Sequence, residues 1–448
     1  MSEPRVVLTG MGWVTPLGHR VQAVWEALMA GRSGVGRITR FDASTFKTNF
    51  AAEVKGFQLA EHLFDAGFAP AGLHDDAGLN TQFALGAASE AYRMSGLDRF
   101  PALNRRRFGI YLGAGEGSLD FANYVGAHLV AWDEATKTIN GRAWAEAAYK
   151  RMSPAREIEQ EANMTLSHVA WAFGARGPAS NCLTACAASV QAIGEAYEML
   201  RHGDADVMFA GGAHTMIHPL GVTGFIRLTA LSPRSEAFET VPRPFDSTRD
   251  GFVMGEGAGM LVLETLDHAR ARGATPLAEI VGYGSSADAF RITDMHPEGE
   301  GPGQAMTQAL RQAGIDPREP GADGRPPVHY ISAHGTGTKE NDKIETAAIK
   351  RVFGPLAPRI PISSIKSMLG HLIAAAGVSN VISAVQAINS GWVPPTINYA
   401  HPDAGLDLDY VPNHARDLRA AGGVKVCMCN AYGFGGQNDV VVVRAFEN

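Results

Sequence analysis

The chain reads as an α/β protein, a largely buried sheet covered by helices and built from two related halves. Three observations predict this. Short apolar runs end at glycine along the whole chain, amphipathic helical stretches lie between them, and two pairs of distant segments repeat one another in pattern. Length agrees with a duplicated architecture, since 448 residues exceed what a single hydrophobic core usually serves.

In chain order, the predicted strands are RVVLTG (5–10), GIYLGAGEG (109–117), ADVMFAGG (205–212), GMLVLE (259–264), AEIVGYG (278–284), VHYISAHGTG (328–337) and VKVCMC (424–429). Each is a near-continuous apolar run closed by turn residues, the signature of a strand buried on both faces. Helical periodicity fills 188–203, 304–314 and 344–354, and strands alternating with helices give an α/β sheet. Residues 119–165, rich in Ala, Glu, Lys and Met, read as a helical insertion or cover. The internal echo pairs GIYLGAGEGS (109–118) with HYISAHGTGT (329–338). It also pairs the Cys186 segment with SMLGHLIAAAGVSNVISAVQAINSG (367–391). A duplication would bring these turns together across a pseudo-twofold axis.

Bulk properties narrow the function. A net charge of −7 and a pI near 6.1 argue against a general nucleic-acid binder. Four cysteines make no disulfide framework, and neither Cys182/Cys186 nor Cys427/Cys429 has the spacing of a zinc site. MSEPRVVLTGMGWVTPLG carries no secretory pattern, and no apolar run looks long enough for a bilayer, so a cytoplasmic protein away from membranes is expected. There is no GxxxxGK[ST] loop, no properly spaced GxGxxG, no HExxH and no carboxylate-rich metal run, so neither a nucleotide nor a metal is expected.

Within SNCLTACAASVQAIG (180–194), small residues surround two thiols where a strand gives way to a helix. Cys186 would open that helix, where backbone N–H groups and the helix dipole favour a thiolate and can cradle an oxyanion. Cys182, earlier in the strand approach, reads as packing, the commoner role of a lone cysteine. His334 follows a buried strand and opens a Gly/Thr turn; His371 precedes an Ala-rich helix. Taken singly, each histidine is more often structural, and Lys366 in its Ser-rich turn would by local context be a surface lysine. NAYGFGGQN (430–438) demands unusual backbone angles straight after a strand.

Six stretches in order resemble the condensing enzymes of fatty-acid and polyketide synthesis, specifically the β-ketoacyl-acyl-carrier-protein synthase II type. They are VVLTGMGWVTPLG (6–18), GPASNCLTACAAS (177–189), PFDSTRDGFVMGEGAGMLVLE (244–264), AHGTGTKENDKIE (333–345), SSIKSMLGHLIAAAG (363–377) and NAYGFGGQN. The resemblance implies the thiolase fold, with duplicated halves at 1–266 and 267–448 in a five-layered α-β-α-β-α sandwich. It implies an acyltransferase that condenses a Cys-bound acyl group with a malonyl group held on the phosphopantetheine of an acyl carrier protein. No cofactor is implied, and the assembly is a homodimer or a heterodimer with a related subunit. By motif position, Cys186 is the nucleophile, His334 and His371 complete the catalytic set, and Lys366 supports it. Cys186 and Phe434 would supply the oxyanion hole, with Phe434 also the gate. Thr336 and Thr338 would touch the phosphopantetheine arm, while Phe225 and Glu116 would border the acyl pocket.

The chain departs from that family where an apolar residue is replaced by Glu116, and where a glutamate nine residues beyond the second histidine is replaced by Asn380. The first departure points to a short or polar acyl group, or to a carboxylate that swings away or finds a partner. The second puts a bound monovalent cation in question. Two other readings remain. One is a non-catalytic, chain-length-setting partner subunit, which would lack the nucleophile. The other is a coenzyme A-dependent thiolase, which would need a second cysteine where Phe434 stands.

Overall fold

The computed structural model describes residues 3–292 and 295–447. Its main sheet has ten strands. In chain order these are β1 (Val6–Val14), β2 (Phe108–Ala114), β3 (Ala179–Cys182), β4 (Val207–His214) and β5 (Gly257–Thr265). The second half contributes β6 (Ala278–Ala287), β7 (Tyr330–Ser332), β8 (Ile362–Ser363), β9 (Val426–Gly433) and β10 (Gln437–Arg444). Their order across the sheet is β8-β7-β9-β10-β6-β1-β5-β4-β2-β3.

Counted outward from the centre, the first half runs 1-5-4-2-3 and the second runs 6-10-9-7-8, the same path walked twice. The pairing sense repeats too. β1–β5 and β5–β4 are antiparallel and β4–β2 and β2–β3 parallel, matched by β6–β10, β10–β9, β9–β7 and β7–β8. Even the irregularity recurs, with a register shift between Leu8 and Gly10 on β1 and another between Ile280 and Gly282 on β6. The halves join where β1 and β6 pair antiparallel, Val6 opposite Ile280.

Six helices complete the layers: α1 (Leu79–Met94), α2 (Met164–Phe173), α3 (Ala188–Arg201), α4 (Glu300–Gln312), α5 (Lys339–Phe353) and α6 (Ala376–Ser390). α3 and α6 form the middle layer and touch strands of both halves. Small residues let them approach. A Cβ on Gly377 would lie 2.5 Å from a Val190 methyl, and the Ser189 hydroxyl accepts the Val378 N–H at 2.9 Å. α1 and α2 cover the outer face of the first half-sheet, while α4 and α5 cover that of the second. Helix, half-sheet, helix pair, half-sheet and helix give the five layers of the thiolase fold.

One expectation needs correcting. Among the described residues, Ile373–Ser390 is long and apolar enough to count as a candidate span. Yet 78% of it is buried inside the fold, where its hydropathy serves the middle layer. Residues 119–165 do form helices, Phe121–Ala131, Gly141–Arg151 and Pro154–Ile158, with a small alanine-rich core of their own.

Candidate active site

The duplicated turns meet beside the middle layer. After β3 the chain turns through Ala185 at φ +48°, enters a tight helical turn (Ala185–Ala187) and continues as α3. After His371 it turns through Ile373, also at φ +48°, into Ile373–Ala375 and then α6. Left-handed angles on residues with a Cβ cost of order 1–3 kcal/mol and persist only where the surroundings fix them. Here the two turns pack on each other, so each braces its counterpart.

Cys186 therefore sits one residue past a forced bend, 6% exposed, at the mouth of a helix. His371 Nε2 lies 3.0 Å from its Sγ. The Ile373 N–H donates to His371 Nδ1 at 3.2 Å, which leaves the imidazole proton on Nε2, facing the sulfur. His334 stands across the cavity with its ring centroid 5.5 Å from that of His371 and nearly perpendicular to it. Burial, and then the nearby Lys366 charge, hold both histidines well below their ordinary pKa, so both are neutral.

Lys366 is not a surface lysine. It is 4% exposed, and its Nζ donates to the His334 carbonyl at 2.6 Å. Burial lowers it to about 8, against the pull of Glu345 towards the charged form. Glu345, which sequence reasoning did not single out, is fully buried; its carboxylate accepts the backbone N–H groups of His334 and Gly335 and the Asn430 amide. Asp342, one turn earlier on α5, accepts the N–H groups of Phe245 and Gly337. A signal was present in the KENDKIE run: two carboxylates three residues apart on the helix that the Gly/Thr turn enters.

The sulfur differs from its sequence expectation. Burial pushes the Cys186 thiol up to about 12, although the Lys366 charge and the backbone N–H groups of Phe434 and Cys186 pull it down. The resting residue is thus a thiol already surrounded by donors that favour the anion. Gly433 makes this possible, since a Cβ there would lie 2.5 Å from the Thr184 carbonyl. Cys182 behaves as packing, 9% exposed, with its thiol 3.2 Å from the Ala188 carbonyl.

A cavity of about 480 Å³ brings together Cys186, His334, His371, Thr336, Thr338 and Phe434. The Thr336 and Thr338 hydroxyls lie 3.0 Å apart, and Thr338 also caps α5 by accepting the Asn341 N–H. Phe434 is 37% exposed at the rim. Phe225 and Glu116 are not in this cavity; both line a neighbouring one of about 410 Å³. Phe225 packs edge-on against Phe252, which packs edge-on against His371.

Behind the histidines, the Asn380 amide points its N–H groups at the carbonyls of Ala333 (3.1 Å), Asn430 (3.0 Å) and Ser332 (3.5 Å). Those three carbonyls thus meet a neutral amide where the resemblance leads one to expect a carboxylate. Among the described residues, no group of His, Cys, Asp and Glu could hold a metal ion.

A ten-stranded duplicated sheet with a cysteine turn and two neutral histidines defines a condensing-enzyme architecture. The family descriptions agree: "Beta-ketoacyl synthase, N-terminal domain" matches residues 3–269 and "Beta-ketoacyl synthase, C-terminal domain" matches 277–400. The chain is 40% identical over 448 residues to the 3-oxoacyl-[acyl-carrier-protein] synthase 2 of Coxiella burnetii, covering all of both proteins. Among solved structures, it resembles the ishigamide ketosynthase/chain length factor (TM-score 0.84, 34% identity, all of both chains). It also resembles a type II polyketide ketosynthase bound to the hexaketide, in complex with its acyl-carrier protein (TM-score 0.83, 33% identity, all of both chains). The chain belongs to the β-ketoacyl synthase family.

Proposed function

We propose that this protein is a β-ketoacyl-acyl-carrier-protein synthase, joining a Cys186-bound acyl group to a malonyl group with loss of carbon dioxide. The observation that carries this is the His371 Nε2–Cys186 Sγ approach at 3.0 Å, with neutral His334 facing the same cavity. In the first half-reaction, the Cys186 sulfur attacks a carrier-bound thioester while the N–H groups of Cys186 and Phe434 hold the oxyanion; the carrier sulfur leaves and takes up the proton that the Cys186 thiol gives up. In the second, malonyl thioester occupies the cavity. Imidazole N–H groups of His334 and His371 stabilise the enolate left by decarboxylation; its carbon attacks the acyl-cysteine and expels the Cys186 thiolate, which takes a proton from solvent. The electron pair for the new bond is that of the C–C bond broken as carbon dioxide leaves, so the step involves no change of overall oxidation state.

Thr336 and Thr338 line the cavity, where a phosphopantetheine arm would lie, and an acyl carrier protein is the partner this chemistry calls for. Lys366 and Glu345 position the His334 loop. The thiolase reading is disfavoured because Cys427 and Cys429 are fully buried in β9, away from the cavity. The partner-subunit reading is disfavoured by the assembled nucleophile. Dimer formation is supported by the free edge of β3, with Leu183 (59% exposed) and Trp171 (53% exposed) nearby in the chain. A cytoplasmic location fits a carrier-dependent reaction.

The test is loading of Cys186 from acyl carriers, followed by condensation with malonyl carrier. Acyl mass on the wild type but not on Cys186→Ala supports the proposal; an unlabelled wild type, with every carrier tried, overturns it in favour of a non-catalytic subunit.

A further inference from the structure

The second cavity lies on the other side of the Cys186 turn, and Ala185 forms part of its wall. The duplication relates it to the catalytic cavity. In the echo of 109–118 with 329–338, Ala114, Gly115 and Glu116 take the places of His334, Gly335 and Thr336. Ile373, the counterpart of Ala185, lines it as well. Among the described residues, the walls are otherwise apolar or glycine, Met216, Leu220 and Phe225 included, and the ionisable groups lining the cavity are Glu116 and His214.

Those two groups are not fully satisfied. His214 is 2% exposed, and its Nδ1 accepts the Ala374 N–H at 3.3 Å, which leaves the ring proton on Nε2. That Nε2 is buried and has no hydrogen-bond partner in the protein. The nearest carboxylate oxygen, Glu116 Oε2, stands 3.4 Å away, a charge–dipole contact rather than a formed hydrogen bond. Gly115 leaves the ring uncovered, since a Cβ there would come within 2.5 Å of Nε2. The His214 contact holds the Glu116 carboxyl down at about 2, so it is ionised. Its side chain is 67% exposed in the single chain.

An alkyl chain filling this cavity would strip water from a carboxylate and leave an imidazole N–H unpaired, both costly. A chain bearing oxygen avoids that cost. A ketone accepts the Nε2–H, and a hydroxyl both accepts it and donates to the carboxylate. Sites built to hydrogen-bond a substrate group reject the analogue that lacks it far more strongly than apolar pockets reject an extra methylene.

We infer that the Glu116–His214 cavity is an acyl subsite selecting oxygenated chains, those carrying ketone or hydroxyl groups along their length, over saturated ones. The inference rests on the acyl-transfer reading above. The test measures the rate of Cys186 acylation from carrier-bound eight-carbon chains: the saturated chain and its mono-keto and mono-hydroxy counterparts, oxygenated at each position from C3 to C7. The wild type should load at least one oxygenated chain ~10-fold or more faster than the saturated one. Glu116→Leu should speed loading of the saturated chain and erase the preference, and Glu116→Gln should keep the preference for ketones. The selectivity is overturned if the wild type loads the saturated chain as fast as every counterpart, or if Glu116→Leu leaves the ratio unchanged. Absence of any acyl adduct would sink the acyl-transfer reading itself, a separate and recognisable failure.

Discussion

Replacing each histidine by alanine should separate the two half-reactions. His371 Nε2 contacts the sulfur at 3.0 Å, so on the proposed mechanism its proton would serve the nucleophile as well as the enolate. His334 has no hydrogen bond to the sulfur and meets the chemistry only through the cavity. Removing one well-aimed donor from a dry site costs about 3–4 kcal/mol, a factor of ~10²–10³ in rate. His334→Ala should therefore slow carbon dioxide release from malonyl carrier by ~10²–10³ while Cys186 acylation changes less than about 10-fold. His371→Ala should slow both. The measurement pairs intact-mass kinetics of the acyl-enzyme with carbon dioxide release on pre-acylated protein. Equal losses in both steps for His334→Ala would refute the division, because the ring would then be acting on the sulfur or on the fold. Thermal melts of both variants guard against the second case, since His334 is 3% exposed and its loss leaves a cavity.

Further outcomes follow from buried polar groups. Asn380→Ala leaves three carbonyls without their donor and should lower stability by ~2–4 kcal/mol in denaturant titrations. Asn380→Asp sets a carboxylate against those oxygens, and its stability should rise with added potassium or sodium while that of the wild type does not. Glu90 accepts the N–H groups of Trp13 and Val21, and burial raises it to about 7. The folded state then holds a proton that the unfolded state releases near 4.5. Stability should fall as pH rises from about 4.5 to 7, by up to ~3 kcal/mol, and Glu90→Gln should flatten that slope. Lys366 has the opposite sign. Its folded pKa of about 8 lies below 10.5, so the unfolded state binds the extra proton and stability from this group rises across that interval; Lys366→Met should remove the rise.

What could be read from the sequence followed from local pattern. The apolar runs became strands, the echo became a strand path walked twice, and Cys186 fell at the turn its small neighbours suggested. What escaped depends on contacts between residues far apart in the chain. Glu345 looks like an ordinary helix residue until the fold sets it against backbone 10 positions away; Asn380 is marked by the resemblance, but its carbonyl partner 47 positions away is not legible. From local context alone Lys366 reads as a surface residue, because the layers that bury it are not local; only the resemblance places it in the site. The resting thiol was misjudged for a related reason. A helix N-terminus can be read from the sequence, whereas the burial that outweighs it in the resting site is a property of the packed molecule.

Duplication explains why one side of the molecule reacts and the other receives. The two φ +48° turns are equivalent, yet one is followed by Cys186 and the other by Ala374. The equivalent strand ends carry His334 in the second half and Ala114 in the first. Chemistry thus collects in one of two matched cavities, while its counterpart, stripped of nucleophile and catalytic imidazole, keeps the same access to the shared turn. His214 Nδ1 receives the Ala374 N–H much as His371 Nδ1 receives that of Ile373, one residue earlier on the same turn. A single stretch of backbone therefore sets the tautomer of both rings, aiming one N–H at the sulfur and the other into the second cavity. A substitution that shifts Ile373–Ala375 should disturb nucleophile and selectivity together, whereas Glu116→Leu should move selectivity alone.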